Sequence, residues 1–171
     1  MGQHVGINIF ENVFTEIEIQ EIHQQLKSAT WQYGQYSNKT TDTHKKFWFM
    51  DLMSNDFFTT HCFNKICSLL PGKWSLVRTY ANGQTYGQDG YWHLDSENAD
   101  EFTFLYYANP DWKVTWNGET VFNTNNNIIS FVPKPNTALF FPGNIFHYAK
   151  SPSRDFYDLR TTIAFKIKIE N

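Results

Sequence analysis

Beyond Gly72 the chain holds no helical pattern; it breaks into about eight short segments rich in β-branched and aromatic residues, at the spacing of strands in a sandwich or barrel. They cover 73–81, 90–95, 101–108, 120–122, 128–132, 137–141, 145–149 and 159–169. Turn-forming clusters separate them: Asn82-Gly83, Asn109-Pro110-Asp111, Asn117-Gly118, an asparagine run from Asn123, Pro133-Lys134-Pro135-Asn136 and Pro142-Gly143-Asn144. Glycine and asparagine tolerate the positive φ of tight turns, and proline withholds the N–H that a sheet ladder needs. So many short strands predict a mainly β fold in which one sheet covers another or closes on itself. An aromatic content of 18% fits that reading, because large flat side chains suit pleated, half-buried surfaces.

The first 72 residues read differently. Residues 5–10 alternate like a strand, and Ile19, Ile22 and Leu26 then recur at helical spacing behind Thr15, an N-cap with Glu18 three residues on to complete a capping box. Two strand-like stretches, 31–36 and 45–52, flank a polar loop at 37–44. A second helix is predicted from Ser54 until Pro71-Gly72 stops it. A chain of 171 residues suits one domain, with 1–72 as helical and strand support and 73–171 as the β core.

Charge and composition narrow the function. Fourteen Lys and Arg against 17 Asp and Glu leave a net charge of −3, which gives no overall attraction to nucleic acid or to an anionic membrane. No apolar run approaches the roughly 18 residues of a membrane helix, and Gly6 stands where an acylation signal after Gly2 requires Ser or Thr. Cys62 and Cys67, the only cysteines, read as small core residues on different helix faces. A soluble, cytoplasmic protein is the expectation.

One constellation points to chemistry. In a strand, residues two apart project from one face, so His93 and Asp95 of "GYWHLDSE" would present an imidazole and a carboxylate side by side. His147 in "FPGNIFHYAK" offers a second imidazole from another segment. Two histidines and a carboxylate on one side of a divalent ion leave positions open, as in non-haem Fe(II) oxygenases, and also in some zinc hydrolases. A hydrogen-bonded core role for His147 is the plainer alternative. The other histidines, His4, His23, His44 and His61, are not followed by a carboxylate two positions on and read as surface or helix residues.

From 77 to 166 the sequence resembles the 2-oxoglutarate and Fe(II)-dependent dioxygenases, and within them the prolyl 4-hydroxylase-like branch. Four ordered blocks carry this: "VRTYANGQTYGQDGYWHLD", "FTFLYYANPDWKVTWNGETVF", "FVPKPNTALFFPGNIFHYA" and "LRTTIAFKI". The chain departs where Asn117-Gly118 replaces a glycine pair and Asn136 a frequent glycine. The resemblance implies a jelly-roll, cupin-like double-stranded β-helix. It makes His93, Asp95 and His147 the iron ligands, with no catalytic group beyond the metal centre. Arg160 becomes the partner of the far carboxylate of 2-oxoglutarate, and a guanidinium fork suits a planar carboxylate. Thr162, two positions on, and the tyrosines Tyr80 and Tyr107 would stand near the same cosubstrate.

The implied reaction consumes O2 and 2-oxoglutarate, releases succinate and CO2, and hydroxylates a C–H bond, with ascorbate as an accessory reductant. A prolyl or other residue in a peptide or protein is the expected substrate; small-molecule and nucleic-acid oxygenases, and an inactive jelly-roll binding module, are the competing readings. The missing basic stripe argues against nucleic acid. Residues 38–50 precede the core where relatives carry a substrate-covering loop. His44, Lys45, Lys46, Phe47 and Trp48 there would grip an extended peptide or a stacked base, or else form an exposed turn leading into a strand.

Overall fold

The computed structural model describes residues 6–28, 31–37, 44–125 and 127–170. His4 and residues 38–43 of the predicted loop lie outside them. Among the described residues the order is β1 (Asn8–Glu11), α1 (Glu16–Ser28), β2 (Gln32–Gln35), β3 (Phe47–Asp51), a π-helical turn (Phe57–Cys62) continuing as α2 (Phe63–Leu69), and β4 (Lys73–Gln84). There follow β5 (Glu101–Tyr107), a 3-10 turn (Val114–Trp116), β6 (Thr120–Thr124), β7 (Asn127–Phe131), β8 (Thr137–Pro142), β9 (Phe146–Ala149) and β10 (Arg160–Glu170). The strands make a seven-stranded antiparallel sheet, β1-β8-β5-β10-β4-β3-β2, and a three-stranded sheet, β7-β6-β9. This is a mainly β architecture with the double-stranded β-helix core that the resemblance predicts.

Strand parity divides the core. On β5, Phe104 and Tyr106 face the helices and pack with Ile22, Leu26, Phe58, Cys62 and Ile66, while Leu105 and Tyr107 face the small sheet and pack with Phe122, Leu139 and Phe141. On β10, Ile163, Phe165 and Ile167 belong to the helix side and Ala164 to the inter-sheet side. Arg160 and Thr162 share the parity of Ala164. The helices therefore back the large sheet, and the polar side chains of β10 are directed between the sheets.

The helix start is as predicted: Thr15 Oγ1 accepts from the Glu18 amide at 3.4 Å, and Glu18 Oε2 accepts from the Thr15 amide at 2.7 Å. The second helix is capped one residue later than expected. Asn55 Oδ1, rather than Ser54, accepts from a first-turn amide, that of Phe57, at 3.0 Å. The asparagine turns keep their left-handed backbone, with φ of 56° at Asn117 and 54° at Asn136.

Two expectations fail instructively. Asn82-Gly83 is no turn, because β4 runs through it to Gln84. Gly83 serves packing instead: a Cβ there would lie 2.5 Å from Leu159 Cδ2. Residues 90–95 form no regular strand either; they make a single antiparallel bridge, His93 with His147.

Candidate active site

That bridge organises the site. The His93 amide donates to the His147 carbonyl at 2.9 Å and the His147 amide returns a bond to His93 at 3.0 Å. Gly90 N–H to Ala149 O at 2.7 Å and Asp95 N–H to Gly143 O at 2.9 Å extend the contact on either side. Trp92 reinforces it by stacking on Phe146 with centroids 5.3 Å apart. His93 and Asp95 thus share a side as predicted, although the cause is this backbone clamp rather than a strand's pleat.

The side-chain ligand atoms of His93, Asp95 and His147 all lie within 4.8 Å of one another. His93 Nε2 is 3.3 Å from Asp95 Oδ1, and His147 Nε2 is 3.5 Å from Asp95 Oδ2. Each ring points its Nδ1 at a carbonyl two residues back, Tyr91 O for His93 and Ile145 O for His147, both at 2.8 Å. A carbonyl only accepts, so Nδ1 carries the proton and Nε2 keeps its lone pair. Burial lowers the His147 pKa to about 4 against the opposing pull of Asp95, so the ring is neutral at pH 7. Two imidazoles oriented through Nδ1 and one carboxylate fit a divalent transition metal such as ferrous iron.

Asp95 is held ionised. Burial opposes its charge, but Lys166, then His147 and His93, outweigh it and keep the carboxyl well below the usual range. Thr103 donates to Oδ2 at 2.6 Å, and the Lys166 ammonium meets the same oxygen. Neither Thr103 nor Lys166 is singled out by the sequence reading. Parity along β10 was a signal available for Lys166, which lies six residues beyond Arg160 on the same face.

Of the other candidates, Tyr80 lines one cavity with His93 and Asp95, whereas Arg160, Thr162 and Tyr107 are not among its lining residues, Arg160 meeting one of them, Gln84. Arg160 is 1% exposed. Its Nε donates to Gly118 O at 2.6 Å, one terminal nitrogen to Gln84 Oε1 at 2.8 Å and the other to Thr120 Oγ1 at 3.3 Å. A Cβ on Gly118 would sit 2.8 Å from Trp112 and 3.1 Å from Arg160 Cδ, so glycine is what lets this carbonyl reach the guanidinium. No ion pair of Arg160 with Asp155 or Asp158 is found among the described residues. Burial lowers the Arg160 pKa to about 10, well above neutrality. Tyr107 donates to Thr120 Oγ1 at 2.8 Å, and Thr162 is buried, in register between Tyr107 and Asn82.

A cavity of about 280 Å³ is lined by His93 and Asp95 together with Tyr80, Asn82, Gln84 and Lys166. Asn82 Oδ1, buried there, has no hydrogen-bond partner among the described residues, and an amide in that position suits a polar ligand. Of the loop candidates only Phe47 reaches this cavity. His44, Lys45 and Lys46 are exposed, Lys45 lying 5.4 Å over the Tyr91 ring, and Trp48 packs on Tyr33. His23 bonds Ala108 O from α1, and His61 pairs with Glu18.

Comparison with known proteins agrees with this geometry. Residues 77–165 match the model of the 2OG-Fe(II) oxygenase superfamily. The chain belongs to that superfamily. Its fold is similar to a 2OG-Fe(II) oxygenase family oxidoreductase from Burkholderia pseudomallei, at 14% identity and a TM-score of 0.75, covering 98% of this chain and 87% of that one. It is similar also to a prolyl hydroxylase from Trichoplax adhaerens in complex with a hypoxia inducible factor peptide fragment, at 17% identity and a TM-score of 0.74, covering 96% and 84%. A third is HygX from Streptomyces hygroscopicus, bound to nickel, 2-oxoglutarate and hygromycin B, at 9% identity and a TM-score of 0.66, covering 96% and 83%. Among curated proteins no sequence matches significantly. No helix among the described residues is long and apolar enough to cross a membrane.

Proposed function

We propose that the protein is a ferrous, 2-oxoglutarate-dependent hydroxylase of a peptide C–H bond, a prolyl residue being the first candidate. The observation that carries the cosubstrate is Arg160, a buried guanidinium with no carboxylate at ion-pair distance among the described residues, Glu119 acting on it only from farther away. Three of its five N–H groups are used, and each terminal nitrogen keeps one for an incoming carboxylate. An unpaired buried cation is costly, so a site that keeps one is built for an anion.

His93, Asp95 and His147 would hold the iron, which when bound supplies the activation of O2 coupled to decarboxylation of the ketoacid. The protein groups orient and shield. Nδ1 donation fixes each imidazole, Thr103 and Lys166 fix the carboxylate, and Arg160 with Thr120 and Tyr107 forms a polar end for the diacid. Phe47 and Tyr80 wall the cavity and limit water, which protects the oxidising centre. A peptide is favoured by the exposed Val77 and Leu94 at the cavity, which suit an extended chain.

The test is anaerobic calorimetry with Mn(II) followed by 2-oxoglutarate, then aerobic turnover with Fe(II) and a proline-containing peptide library. Stoichiometric binding, succinate release and a product heavier by one oxygen are expected. Ketoacid binding with oxygen gained only by small molecules would remove the peptide assignment, and failure to bind either the ion or the ketoacid would remove the whole reading.

A further inference from the structure

Among the described residues, Lys166 is the one cation in contact with the proposed ligand set. It lies on the inter-sheet face of β10, in register with Arg78 of β4 and Thr103 of β5. Its side chain is 16% exposed and that of Asp95 6%. The ammonium meets Asp95 Oδ2 and donates to Thr103 Oγ1 at 3.0 Å, while Thr103 itself donates to Oδ2. Oδ2 therefore has two donors, and Oδ1, 3.3 Å from His93 Nε2, keeps its lone pairs.

We propose that Lys166 is a positioning residue that makes Asp95 a one-oxygen ligand and sets the charge of the centre to suit a dianionic ketoacid. Formal charges give the reason. Two neutral imidazoles and a carboxylate carry one negative charge, which Lys166 cancels. A divalent ion then leaves two positive charges, and 2-oxoglutarate brings two negative ones. Arg160 meets one of those negative charges at the far end of the diacid, and the ammonium beside Asp95 attracts the other, at the metal end. A cation beside the site also repels the metal. Lys166 therefore opposes metal binding and favours ketoacid binding, whereas a merely structural residue would favour both.

The inference rests on the functional reading above, and titration separates the two. Lys166→Met should weaken 2-oxoglutarate binding to the Mn(II)-loaded protein at least tenfold while leaving Mn(II) binding as tight as in the wild type or tighter. Lys166→Arg should keep both constants within about threefold, since it restores the charge and the donors. Circular dichroism and melting report whether each variant is folded, and Lys166→Gln takes the same measurement if Lys166→Met is not. A ketoacid constant within twofold of wild type, or parallel weakening for metal and ketoacid, overturns the inference while the functional reading stands. Wild-type protein that binds neither overturns both.

Discussion

Single residues in this site are asked to do opposite things, and burial decides which they manage. Arg160 remains charged without a carboxylate because three acceptors surround it. Arg160→Leu should therefore cost 2-oxoglutarate about 2–5 kcal/mol of binding, read by calorimetry on the Mn(II)-loaded protein, with Mn(II) affinity unchanged. Tyr107 is the converse case. Burial pushes its phenol up to about 12, against Arg160 and the Thr120 hydrogen bond, so the folded protein holds a proton that the unfolded chain releases near pH 10. Its contribution is present in full below pH 10 and is lost as pH rises towards 12, by about 3 kcal/mol at most. Melting curves between pH 9 and 12 should show this decline, and Tyr107→Phe should make it shallower, with the buried phenols of Tyr106 and Tyr80 supplying the remainder. Both residues are named by the sequence alone, yet nothing in the sequence gives them Thr120 as a shared partner.

Among elements, the turns and the ends of helices repeat local rules, and contacts between distant segments override them. Asn136 stands where a glycine was expected, and its φ of 54° is what such a turn demands. Its amide also accepts from the Phe14 N–H and donates to the Phe14 carbonyl, both at 2.9 Å, tying the entry of α1 to the start of β8. Asn136→Gly should keep the backbone and lose about 1–3 kcal/mol with those two bonds, and Asn136→Ala should lose about 1 kcal/mol more. Denaturant midpoints of the two variants measure the difference. The capping box at Thr15 and Glu18 was legible because it involves neighbours in the chain. Residues 90–95 were misread as a strand because composition reports a preference for extended backbone, whereas ladder formation depends on a partner, here β9, which offers one bridge.

For the molecule as a whole, the site is a place where two sheets and a clamped segment meet, so ligands should couple to stability. Mn(II) with 2-oxoglutarate should raise the melting temperature in proportion to the logarithm of concentration, about 2.7 kcal/mol at a hundredfold excess over the dissociation constant. Asp95→Ala should abolish the metal-dependent part, as followed by differential scanning fluorimetry. The mainly β class and the helical support were determined by the sequence, because residue type, alternation and turn chemistry act over short range, and the His93, Asp95 and His147 set was named there through resemblance. The tertiary structure alone decided that β4 continues through Asn82-Gly83, that backbone bonds bring His93 to His147, and that Lys166 faces Asp95. Those outcomes depend on which strands become neighbours, and strand pairing is settled by the burial and hydrogen bonding of the entire chain at once.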